Sequence, residues 1–397
     1  MLINSFGFSL AYPFISLYLY LYRGIPMADV GLALLAAAVV GALGQIAGGE
    51  LCDRFGRKVM MNAGCGLNAI AFALITAAIL LESSYAVFLA LLCLRELAGG
   101  LYRNVPMVMI ADVVPPGDRN GAFSLIRIGG NLGFALGPVL GGIIALHSYA
   151  LMFAVPVVTS VVYLFISAFL LRDTRPEQCD TGAGRGDGGR VWQDRPFVLF
   201  CLVSAAATIV YAQMLTTFST YSGSYGQIDE SLIGLLFSLN GLMVVFFQYP
   251  VAALLGRFRL TTSLIAGTLL YAIGFSLVGL SIGFWPLFAC MFVISVGELV
   301  FTPPSMNIVS RMASPESRGR YMSVSSVVGN AGFAFGPAVG GFLMDWFKAD
   351  IATMWFLLGA LVFACGFGFL LLRATMDRKI DAAEEPSLPL VYPRIHR

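Results

Sequence analysis

The segment GNLGFALGPVLGG, residues 130–142, holds five glycines and one proline in an otherwise apolar stretch. The chain repeats this segment as GNAGFAFGPAVGG, residues 329–341, with nine of the thirteen positions identical. The two copies lie 199 residues apart, which is half of the 397-residue chain. Glycine and proline are poor helix formers in water. Their duplication at the half-length therefore predicts two equivalent halves in an apolar environment.

The composition is that of a membrane protein. The chain is 58% hydrophobic and 12% charged, whereas about 25% of the residues in a soluble domain are charged. Apolar runs of about 18 or more residues indicate transmembrane helices. We expect the first span to be a retained helix, because no positive segment or cleavage site marks it as a signal peptide. Twelve spans are predicted: 3–22, 29–51, 59–81, 85–113, 121–146, 149–171, 196–221, 231–255, 261–282, 285–311, 319–344 and 351–372.

The twelve spans fall into two groups of six around a polar, glycine-rich segment, residues 172–194, which has the composition of a flexible linker. The predicted fold is thus an all-α membrane protein with twelve transmembrane helices in two pseudo-symmetric six-helix halves. The halves are residues 1–171 and 195–373, and residues 374–397 form a tail. Parallel repeats about an axis along the membrane normal are one known plan of secondary transporters.

Basic residues are distributed unevenly between the two sides of this topology. Of the 24 Lys and Arg residues, nineteen fall on the side of the termini and linker, and only Arg23 and Lys348 lie in loops on the other side. By the positive-inside rule, the termini and the linker are expected in the cytoplasm of a cell-membrane protein.

Three short segments carry a resemblance to a known family. The stretch GELCDRFGRK, residues 49–58, resembles the signature loop of the major facilitator superfamily. The stretch RELAGG, residues 95–100, is similar to that family's arginine motif, with Ala98 in place of the usual Gln. The stretch GPVLGG, residues 137–142, matches a motif associated with its exporters, whereas the second-half counterpart of the loop, residues 254–259, has lost its aspartate. The resemblance implies a twelve-helix transporter similar to drug:proton antiporters.

The resemblance also implies a conformational latch in the signature loop. Arg57 would pair with Asp112, and Asp53 would approach the N-terminus of the eleventh span, where the helix dipole favours a carboxylate. Such contacts would hold the two halves together in the outward-facing state. The predicted latch residues are Gly49, Asp53, Arg54, Gly56, Arg57 and Asp112.

The repeated glycine segment is predicted to form a close helix contact. In each copy three glycines four residues apart share a helix face, and a neighbouring backbone can approach such a face closely. One proline in each copy frees a carbonyl one turn earlier and permits a bend. We expect this contact to re-form during gating, and static close packing is the alternative. The residues are Gly133, Gly137, Pro138, Gly141, Gly332, Gly336, Pro337 and Gly340.

Charged residues inside the spans mark the candidate transport site, because such groups are costly in a membrane and usually face a cavity or a partner. Glu298 precedes Pro303 and Pro304, which are expected to interrupt the tenth helix, and no basic residue lies near it in that span. Its apolar setting favours the neutral form, so Glu298 is predicted to carry the coupling proton, with Glu96 as a second candidate. A substrate cavity is predicted from Arg95, Arg103, Arg127, Tyr211, Gln213 and Asn240. Structural hydrogen bonding of these residues is the alternative.

The expected function is proton-coupled export of small, partly hydrophobic compounds by alternating access, as in multidrug antiporters. The expected partners are a small-molecule substrate, protons and the lipid bilayer, and the chain is expected to act as a monomer. Uptake or exchange of an anionic solute is an alternative, since among the candidate site residues Arg95, Arg103 and Arg127 outnumber Glu96 and Glu298. A channel or sensory membrane protein is an alternative from another class.

Several other classes of protein are not expected. The seven cysteines show no metal-ligand spacing, and no nucleophile–base set suggests an enzyme. No cofactor or metal ion is predicted. The net charge of +2 is too small to indicate a nucleic-acid partner.

Overall fold

The computed structural model describes residues 1–115, 119–174, 191–314 and 317–383. Most of the predicted linker, residues 175–190, and the tail from 384 to 397 lie outside the described residues. The described part contains helices and no strand, and twelve of its helices are long and apolar enough to cross a membrane. This confirms the predicted all-α fold with twelve spans. The spans are α1 (Leu2–Tyr22), α2 (Met27–Phe55), α3 (Arg57–Leu80), α4 (Tyr85–Val113), α5 (Arg119–Ala145), α6 (Tyr149–Leu170), α7 (Arg195–Ser224), α8 (Glu230–Leu255), α9 (Leu260–Val278), α10 (Phe284–Met312), α11 (Arg318–Trp346) and α12 (Ile351–Thr375).

The loop between α2 and α3 is shorter than predicted. The predicted spans end at 51 and resume at 59, but in the structure Gly56 alone separates the two helices. Gly56 has a φ of 100°, a conformation that glycine adopts readily and other residues avoid. One glycine thus reverses the chain and leaves the flanking residues helical.

Two helices behave differently at their prolines. The helix α4 is split at Arg103–Asn104 into Tyr85–Tyr102 and Val105–Val113, where Pro106 has no N–H to continue the ladder. By contrast, α10 runs unbroken through Pro303 and Pro304, so the predicted interruption is wrong. Prolines are tolerated in transmembrane helices where surrounding groups satisfy the freed backbone carbonyls.

The helices repeat at two nearly equal offsets. The bounds of α4 and α10 differ by 199 residues at both ends, and α5 and α11 begin 199 residues apart. Two hydrogen bonds between α1 and α7 give an offset of 203 for this pair of helices. The Ser16 hydroxyl donates to the carbonyl of Thr216 (3.1 Å), and the Ser219 hydroxyl donates to that of Pro13 (2.6 Å), so Ser219 corresponds to Ser16 and Thr216 to Pro13. The symmetry operation that exchanges the two halves therefore converts one of these bonds into the other. A pseudo-two-fold axis therefore passes between α1 and α7.

The two ends of the bundle are named here by the linker. Because the chain crosses twelve times, the start of α1, the end of α12, residues 171–174 and the α2–α3 junction lie at one end, called the linker face, and the other end is the opposite face. The core between them extends through both halves, with Trp355 stacked against Phe275 at 6.3 Å between ring centroids. Large apolar side chains remain exposed on the outside of the bundle, among them Phe169, Tyr249 and Trp346. Such a surface suits a lipid environment, and the chain is a multi-pass membrane protein.

Candidate functional site

A cavity of about 1370 Å³ lies between the two halves. Its walls come mainly from α1, α2 and α4 of the first half and from α11 of the second. Polar, aromatic and charged side chains share the lining, which includes Asn4, Phe8, Tyr12, Gln45, Asn68, Phe72, Arg95, Glu96, Arg103, Ser326, Asn330 and Phe335. A pocket of this size with a few polar groups on an apolar wall can hold a small organic molecule.

The cavity opens toward the linker face. Its lining continues along α2 to Ile46 and along α11 to Met322, near the linker-face ends of both helices, and Ile46 is 66% exposed. The hydrogen bonds that join the two halves among the described residues lie nearer the opposite face, from Tyr22 to Glu230 and from Ala28 to Asp345 for example. The bundle is therefore closed at the opposite face and open at the linker face.

Three charged side chains from α4 form a cluster in the cavity wall. The two carboxylate oxygens of Glu96 are shared, one with Arg95 and the other with Arg103 at 2.9 Å. A straight helix would place Glu96 and Arg103 about 10 Å apart along its axis, but the long arginine side chain at the helix break spans this separation. Gly41 of α2 makes room for the cluster, since a Cβ there would lie 3.1 Å from Glu96 Oε2.

Arg95 is held between aromatic rings. Its guanidinium carbon lies 4.9 Å from the ring centre of Phe8 and 5.6 Å from that of Phe72, distances at which a cation is attracted to a ring face. Only 6% of Arg95 is exposed, and its buried Nε has no hydrogen-bond partner among the described residues. A buried donor without a partner is unfavourable, so a ligand oxygen that reached it would recover this cost.

Two pairs of glycines close the opposite face. A Cβ on Gly31 of α2 would lie 2.2 Å from the carbonyl oxygen of Pro337 in α11, and a Cβ on Gly234 of α8 would lie 2.2 Å from that of Pro138 in α5. Gly341 and Gly142 are packed just as tightly, against the carbonyls of Met27 and Glu230 respectively. These contacts are related by the pseudo-two-fold axis and bring the helices of the two halves into backbone contact. We call these four residues the gate glycines: Gly31, Gly142, Gly234 and Gly341.

Carboxylates reinforce this closure. Glu230 Oε1 accepts hydrogen bonds from Tyr22 (2.6 Å) and Tyr149 (2.9 Å), both in the first half. Asp345 accepts one from the backbone N–H of Ala28 at 2.7 Å. Asp229 caps α8 beside Glu230: burial raises its pKa, but hydrogen bonds from Ser231 and the N–H of Leu232 outweigh this, so the pKa is lowered from its usual value.

The periodic glycines predicted for gating pack inside each half. Gly133, Gly137 and Gly141 of α5 lie against α1. Gly332, Gly336 and Gly340 of α11 lie against α7 in the same way. The prolines of the same segments, Pro138 and Pro337, face the other half at the gate glycines. Each copy of the repeated segment thus packs against its own half through one helix face and against the other half through another.

Glu298 lies outside the cavity, in a polar cluster of the second half. It is half-buried and accepts a hydrogen bond from Asn240 Nδ2 at 2.8 Å, and Tyr211 is also hydrogen-bonded to it. Asn240 donates a second bond to Ser295 at 3.0 Å. Within the described residues, no Lys or Arg forms an ion pair with Glu298. Its partners are neutral, in contrast to those of Glu96.

The remaining predicted cavity residues are dispersed. Gln213 is fully buried between α7 and α11, where its Nε2 donates to the carbonyl of Gly336 at 2.8 Å. Tyr211 and Asn240 are in the Glu298 cluster and do not line the cavity found in this conformation. Arg127 is exposed on α5, and its repeat equivalent 199 residues later, Ser326, does line the cavity. Of the predicted set, the structure brings together Arg95, Arg103 and Glu96.

The signature loop is organised around Arg57, whose side chain is only 7% exposed. Its Nε lies 3.2 Å from Asp112 Oδ2, and its Nη1 lies 3.0 Å from Asp53 Oδ1. Asp53 is 63% exposed and pairs with Arg57 rather than with the N-terminus of α11. Gly49 and Arg54 are exposed at the same end of α2. The latch residues are thus assembled within the first half while the linker face is open.

The start of the linker belongs to the same assembly. Asp173 Oδ1 accepts a hydrogen bond from the N–H of Arg57 at 3.0 Å, and Thr174 donates to Asp112 Oδ2 at 3.0 Å. A Cβ on Gly56 would lie 2.3 Å from Asp173 Oδ2, so a larger residue there would displace the Asp173 carboxylate from this position. The linker thus begins fixed to the latch.

The comparisons with known proteins agree with this architecture. The family description Major Facilitator Superfamily matches residues 1–228 and, in a second match, residues 199–393. The chain belongs to the major facilitator superfamily. It is therefore a transporter rather than an enzyme, and no group of His, Cys, Asp and Glu among the described residues is placed to hold a metal ion.

Two bacterial members of the superfamily are similar to it over most of their length. The chain is 27% identical over 385 residues to the multidrug resistance protein MdtH of Proteus mirabilis (strain HI4320), covering 95% of this chain and 93% of that protein. It is 25% identical over 353 residues to YttB of Bacillus subtilis (strain 168), an uncharacterised transporter of the same superfamily, covering 87% and 86% respectively.

Solved structures share the fold. The nucleoside transporter NupG superposes with a TM-score of 0.80 at 13% identity, covering 94% of this chain and 96% of NupG. A peptide transporter of the POT family superposes with a TM-score of 0.76 at 16% identity, covering 96% and 94%.

Some residues of the candidate site in this major facilitator transporter are not predicted by the sequence. The gate residues Gly31 and Gly234 lie in the short repeat VGL/IGL, residues 30–32 and 233–235, at the 203-residue offset. That repeat is a usable signal, but it is too short to stand out without the structure. Asp173 lies in a stretch with linker composition, and nothing in its sequence indicates a fixed position.

Proposed function

We propose that the protein exports small, partly hydrophobic compounds in exchange for protons, by alternating access of the inter-half cavity. The supporting observation is the pairing of a cavity open at the linker face with a symmetric closure at the opposite face. With the linker face in the cytoplasm of the cell membrane, as the basic residues indicate, this conformation is inward-open. A substrate from the cytoplasm can then reach the cluster of Arg95, Glu96 and Arg103.

Alternating access follows from the distribution of contacts. In the inward-open state the gate glycines and Glu230 join the halves, and the Arg57 assembly lies within one half. In the outward-open state the gate glycines separate, and Asp53 becomes available to α11 at the linker face. Bound ligands shift such an equilibrium only by their different affinities for the two states.

The coupling proton is assigned to Glu298, with Glu96 as the second site. Glu298 has the neutral partners Asn240 and Tyr211, which leave it free to take up a proton without breaking an ion pair. Glu96 bridges Arg95 and Arg103, so protonation there would disrupt two ion pairs. The similarity to proteins named for multidrug resistance supports export as the direction and a broad range of substrates. We propose a monomer as the working unit.

The test is transport by the purified protein in liposomes with an imposed pH gradient. A screen of small aromatic compounds identifies a substrate whose accumulation depends on the gradient and is lost with a proton ionophore. Glu298→Gln mimics the protonated state permanently, so it is expected to abolish accumulation against a gradient while sparing exchange down a gradient. Glu96→Gln is expected to have a milder effect.

The matched control is Glu82→Gln, which removes the same charge from an exposed residue between α3 and α4. It is expected to transport like the parent protein. If Glu298→Gln still concentrates the substrate as the parent does, Glu298 is not the proton carrier. If the parent shows no response to the pH gradient, the proposal of proton coupling fails.

A further inference from the structure

The charged residues of the cavity leave an excess of positive charge. Among the described residues of its lining, the charged ones are Arg95, Glu96 and Arg103, which together carry a formal charge of +1. They lie in a membrane-embedded bundle, where charges interact more strongly than in bulk water. The cavity thus presents a positive site to a ligand.

The arrangement of hydrogen bonds sharpens this asymmetry. Each oxygen of Glu96 already accepts from an arginine, so a cationic ligand finds no free carboxylate in the lining. Arg103 is 52% exposed and makes one ion pair through Nη2, although a guanidinium has five donors. A ligand oxygen can therefore bind Arg103 without displacing Glu96.

The wall beside the cluster is aromatic. Phe8 and Phe72 flank Arg95, and Tyr12 and Phe335 line the same cavity. Ring faces of this kind pack against planar apolar groups of a ligand. The cavity therefore combines an aromatic surface with unused guanidinium donors at its edge.

We infer that the cavity selects neutral and singly anionic aromatic compounds over organic cations of the same size. This rests on the proposed function, since it names the substrate class of that same cavity. Arg103 supplies the exposed positive charge, Glu96 sets the net charge by neutralising one arginine, and the aromatic residues receive the ring.

The experiment measures binding of three matched probes to the purified protein by equilibrium dialysis at neutral pH. The probes are 2-naphthalenesulfonate, 2-naphthalenesulfonamide and 2-naphthyltrimethylammonium, which share one ring system and differ in charge. The amide is expected to bind about tenfold and the anion about a hundredfold more tightly than the cation, since each unit of charge at a partly screened site changes the affinity by about tenfold. Arg103→Gln is expected to remove most of this preference, and Glu96→Gln to increase it.

The control variant is Lys348→Gln, which removes one positive charge from a half-exposed side chain at the opposite face, and it is expected to leave all three affinities unchanged. Cation binding as tight as anion binding would overturn the inference. So would equal effects of Arg103→Gln and Lys348→Gln, or no binding of any probe. Equilibrium dialysis uses no pH gradient, so it tests this inference separately from proton coupling. If the charge preference is measured but transport does not respond to a pH gradient, the proposed function fails and this inference stands.

Discussion

Arg57 shows how one residue organises the linker face. Its guanidinium is buried between Asp53 and Asp112, and its backbone N–H is bound by Asp173. The two carboxylates differ in burial, since the side chain of Asp112 is 17% exposed and that of Asp53 is 63% exposed. An exposed ion pair contributes about 0–1 kcal/mol, whereas a buried donor that loses its partner costs about 1–3 kcal/mol.

The first prediction separates the two aspartates. Asp112→Asn is expected to lower the thermal stability of the purified protein clearly, and Asp53→Asn to leave it nearly unchanged. Both variants are expected to slow transport. Asp53→Asn removes the carboxylate that is available to α11 when the linker face closes, and Asp112→Asn removes a carboxylate that holds Arg57 in place. Thermal unfolding in detergent and initial transport rates in liposomes check this. Full turnover in both variants would count against the latch.

Three members of this assembly, Asp53, Arg57 and Asp112, are predicted by the sequence. Two others, Asp173 and Thr174 of the linker, are not. The spacing of Asp53 and Arg57 resembles the signature loop closely enough to suggest the pair with Asp112. The contribution of Asp173 and Thr174 depends on where the chain returns after α6, and local sequence holds no information about that position. The pairing of Glu96 with Arg103 was missed because it uses the break in α4.

At the scale of the helices, glycine determines which surfaces can meet. The periodic glycines of α5 and α11 could be predicted to form a close contact, because their spacing gives a common face. The sequence does not say which helix covers that face, and the structure shows α1 and α7. The tight contacts between the halves are made by the gate glycines. Gly31 and Gly234 are 203 residues apart, whereas Gly142 and Gly341 are 199 residues apart.

The second prediction concerns the gate glycines. Gly234→Ala places a methyl group against the Pro138 carbonyl, and overpacking of this kind costs about 1–3 kcal/mol. The conformation closed at the opposite face should therefore lose population by about 5- to 150-fold relative to the open one. A cysteine at Ala145, which is 4% exposed near the opposite face, reports this by its rate of labelling with an impermeant thiol reagent in a cysteine-free background.

The control for this measurement is Gly66→Ala, since a Cβ on Gly66 of α3 meets no atom within 4 Å. It should leave the labelling rate of the cysteine at position 145 unchanged. Equal rates in Gly234→Ala and Gly66→Ala would show that the opposite face does not close through this contact.

At the scale of the whole molecule, the topology was predictable and the conformation was not. Twelve spans follow from the length of the apolar runs, and the two halves follow from the repeated segment. Both features can be read directly from the order of the residues. Which end is open depends on inter-half contacts that are spread over several helices of both halves. No single residue carries that information, so only the assembled helices reveal it.

The third prediction tests the orientation in the membrane. Cysteines introduced at Gly186 in the linker and at Lys348 in the α11–α12 loop should react with an impermeant reagent from opposite sides of the cell membrane, with Gly186 on the cytoplasmic side. The comparison of intact cells with inverted vesicles measures this. Labelling of both positions from one side would contradict the twelve-span topology, and labelling of Gly186 from outside would reverse the orientation.

The reciprocal bonds of Ser16 and Ser219 fix how the two halves are aligned along the membrane normal. Each hydroxyl donates to a backbone carbonyl of the facing helix, so the joint needs no particular side chain there. Sliding α1 along α7 by one residue would break both bonds at once, because the two-fold operation converts one into the other. The halves are therefore free to tilt against each other but resist sliding past each other, and a tilt that closes one end of the bundle opens the other.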